Sequence, residues 1–263
     1  MFLTKINLVA KNHTAYHINE SVMLCNQLID AWRYNGQIIG REIPLTYYFS
    51  NENLLTFEID ANCPEQDSLH ARHNSEFVTM ALDKLAQTGI FPANEELQAI
   101  DLNSDETCTQ LTDDDQLVLY TNYLKSSSPI CTLQQLLPVP LYHFCYNNAQ
   151  LGMNCIRWQE DWQACDQLQM NGNVLVNEAT DQISDFNSLL SRQGYALRQQ
   201  LENHMQRPVY YYLYRVGEKN KQQELARRCP CCGREWLLTE AINIFQFKCD
   251  HCRLVSNLSW NIQ

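Results

Sequence analysis

CPCCGREWLLTEAINIFQFKCDHC, residues 229–252, holds five of the chain's twelve cysteines. Four of them form two C-x-x-C pairs, Cys229 with Cys232 and Cys249 with Cys252, separated by sixteen residues. That spacing falls inside the C-x2-C-x15–20-C-x2-C pattern of a zinc site. A two-residue gap lets one tight turn aim both sulfurs at a point. Each pair is then half of a tetrahedron, and the halves meet when the chain between them folds back. EWLL and NIFQFK read as strands with TEAI as the turn between them, and RLVSNLSWNI supplies a third strand. The segment 226–263 is therefore expected to be a three-stranded zinc ribbon.

Pro230 presets φ in the first turn, and Gly233 can take the positive φ that turns backbone amides toward sulfur. The second turn has Arg253 at the equivalent place, where glycine would be easier. Cys231 and His251 sit inside the turns, but using either as a ligand breaks the symmetric two-residue gap. The expected ligands are Cys229, Cys232, Cys249 and Cys252, with Cys231 unbound. Four thiolates saturate one Zn²⁺ and leave no position for water, so the ion is expected to be structural and not catalytic. A ribbon of this size has too little core to fold unaided, and metal binding is expected to supply stability on the order of 10 kcal/mol.

Working outward, RPVYYYLYR (207–215) reads as a tyrosine-rich strand that delivers the chain to the ribbon through the polar GEKNKQQELARR, a hinge or short exposed helix. Residues 155–205 have helical periodicity, interrupted at Gly172. Residues 126–153 carry serines, Pro129, Pro138 and Pro140, and PVPLY (138–142) is stiff and apolar enough to pack against something. The middle segment, 126–225, is thus a connection with helices and the tyrosine-rich strand.

The first segment, 1–125, reads strand (2–9), helix (19–36), two strands around the polar NEN turn (44–50 and 54–60), helix (67–87) and strand (96–102). An additional strand at 116–124 follows. The βαββαβ order is that of a ferredoxin-like sandwich, and the fold class expected for the whole chain is α+β.

Composition bounds the function. A net charge of −11 over 263 residues and a pI near 5.0 make the molecule as a whole repel a polyanion. Yet residues 215–263 carry +3 and residues 1–214 carry −14, so charge is segregated in the direction a nucleic-acid-binding tip requires. Four thiolates around one Zn²⁺ reduce the tip to about +1. Arg227, Arg228, Arg234, Lys248 and Arg253 are the candidate phosphate contacts, with Trp236, Phe245, Phe247 and Trp260 as stacking platforms if exposed.

RPVYYYLYR, CPCCGREW, FKCDHCRLVSNLSW and PVPLY together resemble an uncharacterised bacterial family of zinc-ribbon-containing proteins, described as candidate nucleic-acid binders. The resemblance implies nucleic-acid binding through the ribbon and carries over no catalytic residue. The expected partner is therefore nucleic acid first. A protein partner comes second, met by the ribbon as a rigid knob and by the acidic α+β domain. Rubredoxin-like electron transfer is a third reading, since four thiolates also hold iron.

The remaining signals are thin. His70 and His73 at i, i+3, with Cys63 just before, offer a second metal site that lacks a fourth ligand. Asp113, Asp114 and Asp115 read as a solvated loop. No phosphate loop, nucleophile elbow or zincin motif is present, so nothing argues for an enzyme. The first seventeen residues show no secretory signal, and no apolar run reaches the roughly 18 residues a bilayer needs. Scattered cysteines fit reduced thiols, and the expected location is the cytoplasm.

Overall fold

The computed structural model describes residues 1–11, 18–51 and 53–262. Residues 12–17 of the stretch read for a signal, and Glu52 in the NEN turn, lie outside the described residues. The structure is mixed α+β with two sheets. The chain separates into two compact units. The first is Met1–Thr109 with Ser126–Ser128 and Pro140–Met153; the second is Gln110–Lys125, Pro129–Val139 and Asn154–Gln263.

In the first unit, β1 (Phe2–Ala10), α1 (Ile18–Asn35), β2 (Leu45–Phe49), β3 (Leu55–Cys63), α2 (Glu76–Gln87) and β4 (Ile90–Ile100) follow in order. The sheet runs β2-β3-β1-β4 with every pair antiparallel. Alternation in β1 buries Ile6, Leu8 and Ala10, and the register sets Ile6 opposite Ile59 and Leu8 opposite Phe57. Slipping the pairing by one residue would turn this whole apolar set to solvent, so the pattern fixes the register. Cys25, Leu28, Ile29 and Trp32 of α1 close over the core with Val78, Ala81 and Leu85 of α2.

The helix expected from 67 begins only at Glu76. Ahead of it lie a turn and a 3-10 segment, Ala71–His73, because the Ser68 side chain captures the local backbone. Its hydroxyl accepts from the Glu65 N–H and donates to the Glu65 carbonyl, both at 2.9 Å. That is the competition by which a short polar side chain diverts a helix start. His70 and His73 thus do not share a helical face. Among the described residues the only group of His, Cys, Asp and Glu placed to hold a metal is the four-cysteine one. The short helix α3 (Tyr142–Cys145) completes this unit.

The second unit is built on a six-stranded sheet, β6-β5-β7-β10-β9-β8. Its strands are β5 (Leu117–Leu119), β6 (Ile130–Thr132), β7 (Val209–Leu213), β8 (Leu237–Ile242), β9 (Phe245–Cys249) and β10 (Leu254–Ser256). Residues 110–125, read from sequence as part of the first segment, group here because β5 pairs in parallel with β7, Leu117 opposite Val209. β7 lies between β5 and β10, and all five of its residues are buried. This explains a tyrosine-rich run with no polar alternation, as expected of a parallel strand covered on both faces.

The helical stretch resolves into α4 (Ala149–Asn171), α5 (Val176–Ser184) and α6 (Leu189–Met205), with the short α7 (Lys221–Leu225) before β8. The expected 181–205 helix is broken at 185–188, where Asp185 is extended and Ser188 caps α6 by accepting from the Ser191 N–H. No helix among the described residues is long and apolar enough to cross a membrane.

α6 approaches β7 through Gly194. A Cβ built there would lie 2.4 Å from both Trp158 Nε1 and the Tyr211 ring. Neither neighbour is a free chain end; both are buried aromatics. Gly194→Ala is expected to destabilise the protein by about 1–3 kcal/mol through overpacking, despite alanine's better helix propensity. Urea unfolding of the two proteins at one pH measures the difference.

Candidate metal centre

The two thiol pairs sit on turns of matching shape. In the first, the Gly233 N–H donates to the Cys229 carbonyl at 2.8 Å, the Cys229 N–H donates to the Arg234 carbonyl at 2.9 Å, and Gly233 has φ 72°. In the second, Arg253 takes φ 55° at the equivalent position. A left-handed arginine costs roughly 1–2 kcal/mol relative to glycine. Its side chain is anchored in return, with Nε donating to Glu202 Oε1 and Nη1 to the Tyr210 hydroxyl, both at 3.3 Å.

The strands bring the turns together. Leu254 lies opposite Cys249, so the second turn is the β9–β10 connection itself, and the β8–β9 hairpin returns the chain from the first turn. The hairpin turn is at Asn243–Ile244, not at TEAI, which belongs to β8. Asn243 has φ 51°, a conformation asparagine adopts at lower cost than the residues of TEAI.

The Sγ atoms of Cys229, Cys232, Cys249 and Cys252 all lie within 4.8 Å of one another, and Cys232 and Cys249 are 3.7 Å apart. Cys229, Cys249 and Cys252 are buried and Cys232 is half-buried, while Cys231 is exposed. Burial pushes the Cys229 thiol up to about 11 and raises that of Cys252 as well. The Arg234 N–H, directed at its sulfur, lowers Cys232 to about 7. The four residues could hold a metal ion, and four sulfurs this close become thiolates together only with a cation among them.

Beneath the cluster is a small aromatic core. Trp236, Phe245 and Phe247 are buried, with Trp236 and Phe247 ring centres 5.3 Å apart. Arg227 belongs to this core. Its guanidinium lies 4.0 Å from the Phe247 ring centre and 4.7 Å from that of Trp236, and it bonds to Ser256 and Asn257. The Trp236 indole N–H donates to the Arg227 carbonyl at 3.0 Å. Burial lowers Arg227 to about 10 against the opposing pull of Glu224.

The six residues expected at a nucleic-acid surface therefore divide. Arg227 and Trp236 are interior groups. Lys248 pairs with Asp250 at 2.5 Å, and Arg253 is held by Glu202 and Tyr210. Arg228 is exposed and pairs with Glu235 at 2.8 Å; Arg234 is exposed with no ion pair among the described residues. Trp260 is 42% exposed.

Two polar clusters escaped the sequence reading. In the stretch read as a hinge, the Glu224 side chain is fully buried. It pairs with Arg215 Nε at 3.0 Å and Arg227 Nε at 3.3 Å, and accepts from the Ser259 N–H. The signal was the spacing of one Glu against Arg215 and Arg227 inside an otherwise polar run. In the first unit, Glu65 Oε2 accepts from the Tyr142 hydroxyl at 2.5 Å and lies 2.7 Å from His143 Nε2, with Ser68 Oγ 2.9 Å from the same hydroxyl. Burial works to raise the Glu65 carboxyl, but the bonds from His143 and Tyr142 outweigh it and hold the group below its ordinary value. Glu65, Asp67 and Glu106 edge a cavity of about 500 Å³. Only PVPLY, read as a packing segment, hinted at this contact.

Three families match successive parts of the chain, each described as a domain of unknown function: DUF8589 over residues 1–99, DUF2310 over 112–214 and DUF8594 over 218–262. An uncharacterized protein of Haemophilus influenzae is 47% identical over 246 residues, covering 93% of this chain and 94% of that protein. The chain belongs to that protein's family. A second uncharacterized protein from the same organism is 51% identical over 162 residues, 61% of this chain and 79% of its own length. No solved structure matches. The four cysteines all fall in the third matched segment.

Replacing Glu224 by Ala leaves the Arg227 guanidinium interior and unpaired. The variant is expected to lose about 3–5 kcal/mol of stability, the range for breaking one side of a buried ion pair. Chemical denaturation monitored at Trp236 and its neighbours reads the loss.

Proposed function

We propose that the chain is a zinc-stabilised binding protein, with one structural Zn²⁺ held by Cys229, Cys232, Cys249 and Cys252. The single observation that carries this is the closeness of the four sulfurs. A tetrahedron with Zn–S bonds of about 2.3 Å has S–S edges of about 3.8 Å. The 3.7 Å between Cys232 and Cys249 and the 4.8 Å ceiling on the other pairs fit that size. Four sulfur ligands leave no position for substrate or water, which supports a scaffold role.

The same reading takes β8, β9 and β10 as a three-stranded zinc ribbon, and the β2-β3-β1-β4 order of the first unit supports a ferredoxin-like sandwich. The twelve cysteines are all free thiols, which supports a reducing compartment such as the cytoplasm.

For the partner, the geometry favours a protein. Of the six side chains assigned to nucleic acid, four are occupied within the fold, and the chain carries −11 overall. β8, by contrast, ends the six-stranded sheet and is largely exposed, with Leu237 45% exposed. An open edge of this kind accepts an extended peptide by strand addition. Nucleic acid is the second reading, supported by exposed Arg228 and Arg234 beside the first turn.

Metal analysis of the purified chain is expected to give about one zinc per molecule, lost in Cys249→Ser, with the ribbon unfolding when zinc is chelated. Affinity capture after nuclease treatment is expected to retain a discrete protein. The nucleic-acid reading prevails instead if DNA or RNA binds with an affinity that falls steeply with salt and disappears in the Arg228→Glu/Arg234→Glu variant.

A further inference from the structure

We propose that β2 is the pairing edge of a symmetric homodimer, in which the β2 strands of two copies of this chain lie antiparallel and join two four-stranded sheets into one. Strand order places β2 at one end of that sheet, with no described strand on its outer side. An edge of this kind presents a row of main-chain N–H and C=O groups, and proteins commonly guard it with charge, proline or a bulge. β4, at the opposite end, has all three. It contains Pro92 and carries exposed Glu95 and Glu96, and its pairing with β1 shifts register between Leu3 and Thr4 and between Asn7 and Leu8. β2 has none of them. Its sequence is LTYYF, and all five residues pair with β3 in unbroken register, from Leu45 opposite Ile59 to Phe49 opposite Leu55.

The side chains of β2 are as open as its backbone. Residues directly opposite in an antiparallel pair share a face, so Leu45, Tyr47 and Phe49 lie on the side of the sheet that carries the fully buried Ile59, Phe57 and Leu55. Tyr47 is nonetheless 49% exposed and Phe49 51%, and Tyr48 on the other face is 45% exposed. The Tyr47 ring centre is 6.3 Å from that of Phe57. The apolar face of the sheet thus continues past the core and ends in half-covered rings, which a further strand beside β2 would extend over.

The occupant is a second copy because β2 is its own best match. Of the four edge strands described, β6 is buried and β4 and β8 carry glutamates; β2 alone is exposed and uncharged. About a two-fold axis at Tyr47, all five residues of one β2 face all five of the other. Tyr47 then meets Tyr47 of the second copy, Leu45 meets Phe49 and Thr46 meets Tyr48, pairs of the apolar and aromatic kind that stabilise antiparallel strands. No acidic group enters the paired segment, which matters in a chain of net charge −11. Glu58, opposite Thr46 on β3, is matched by Lys5 at 2.9 Å. The contact uses the same patch on both copies, so it closes at two.

The test is sedimentation equilibrium of the purified full-length chain over a range of concentrations, with far-UV circular dichroism as the check on folding. The expected result is association to twice the 30.7 kDa chain mass. Tyr47→Lys and Tyr47→Glu each set like charges opposite one another at the two-fold axis, and each is expected to stay folded and to weaken association about tenfold or more. Mixing the two variants is expected to restore it, because Lys then faces Glu across the axis. That rescue separates a lost pairing from a lost fold. A wild-type chain that stays at 30.7 kDa throughout overturns the dimer, as does a dimer that neither substitution weakens or a pair of folded variants that do not associate when mixed. A species that joins one chain to a different polypeptide through β2 assigns the edge to a foreign strand and overturns the second copy as its occupant.

Discussion

Four sulfurs brought within 4.8 Å in a mostly buried pocket set the condition that the C-terminal strands and turns must satisfy. As thiolates they repel one another at low dielectric, and as thiols they offer each other only weak hydrogen bonds. A cation at their centre would remove the conflict. In each turn the residue after the second cysteine is left-handed, Gly233 at φ 72° and Arg253 at φ 55°. At Gly233 this conformation is intrinsically easy; at Arg253 it is secured by Glu202 and Tyr210. Two sequences that differ at the decisive position thus reach one geometry by different means.

The cysteine-bearing turns are not a separate bead at the end of the chain. The second turn is spliced between β9 and β10, and β10 pairs in parallel with β7, Leu254 opposite Tyr211 and Ser256 opposite Leu213. β7 is buried on both faces, so it requires a strand on each side to satisfy its backbone. One of those strands is β10. Asn257 adds a second tie, accepting from the Tyr212 hydroxyl at 3.0 Å and from the Arg215 N–H at 2.9 Å while donating to the Arg215 carbonyl at 2.8 Å. The families matched at 112–214 and 218–262 are distinct as sequences, yet here they contribute to one sheet. The cysteine-bearing turns and the strand at the sheet's centre are therefore joined through β10.

Much of this was readable from residue order because it is local. The C-x-x-C spacing, the alternation in β1 and the tyrosine run of β7 each depend on neighbours a few positions away. What escaped depends on partners far along the chain. Nothing near Ser68 announces that its hydroxyl will hold the Glu65 backbone and delay α2 to Glu76, and nothing near Leu117 says that its strand will pair with Val209. Glu224 is the sharpest instance. In a polar run it reads as a surface residue, and it is interior only because Arg215 and Arg227 converge on it from either side.

The same distinction decides how charge should be read. Residues 215–263 carry +3 by count, but a count treats every arginine as free. Arg215 and Arg227 neutralise a buried Glu224, Lys248 and Arg253 are matched by Asp250 and Glu202, and Arg228 lies against Glu235. Glu202 belongs to α6, outside the counted segment, so part of the apparent surplus is compensated from elsewhere in the sequence. A phosphate would have to compete with partners already at 2.5–3.3 Å, and at Arg227 would have to extract a guanidinium from between aromatic rings. Outside those pairings the segment keeps Arg234 exposed beside one cysteine-bearing turn and Lys219 and Lys221 exposed at the start of α7, on a chain that carries −11 overall.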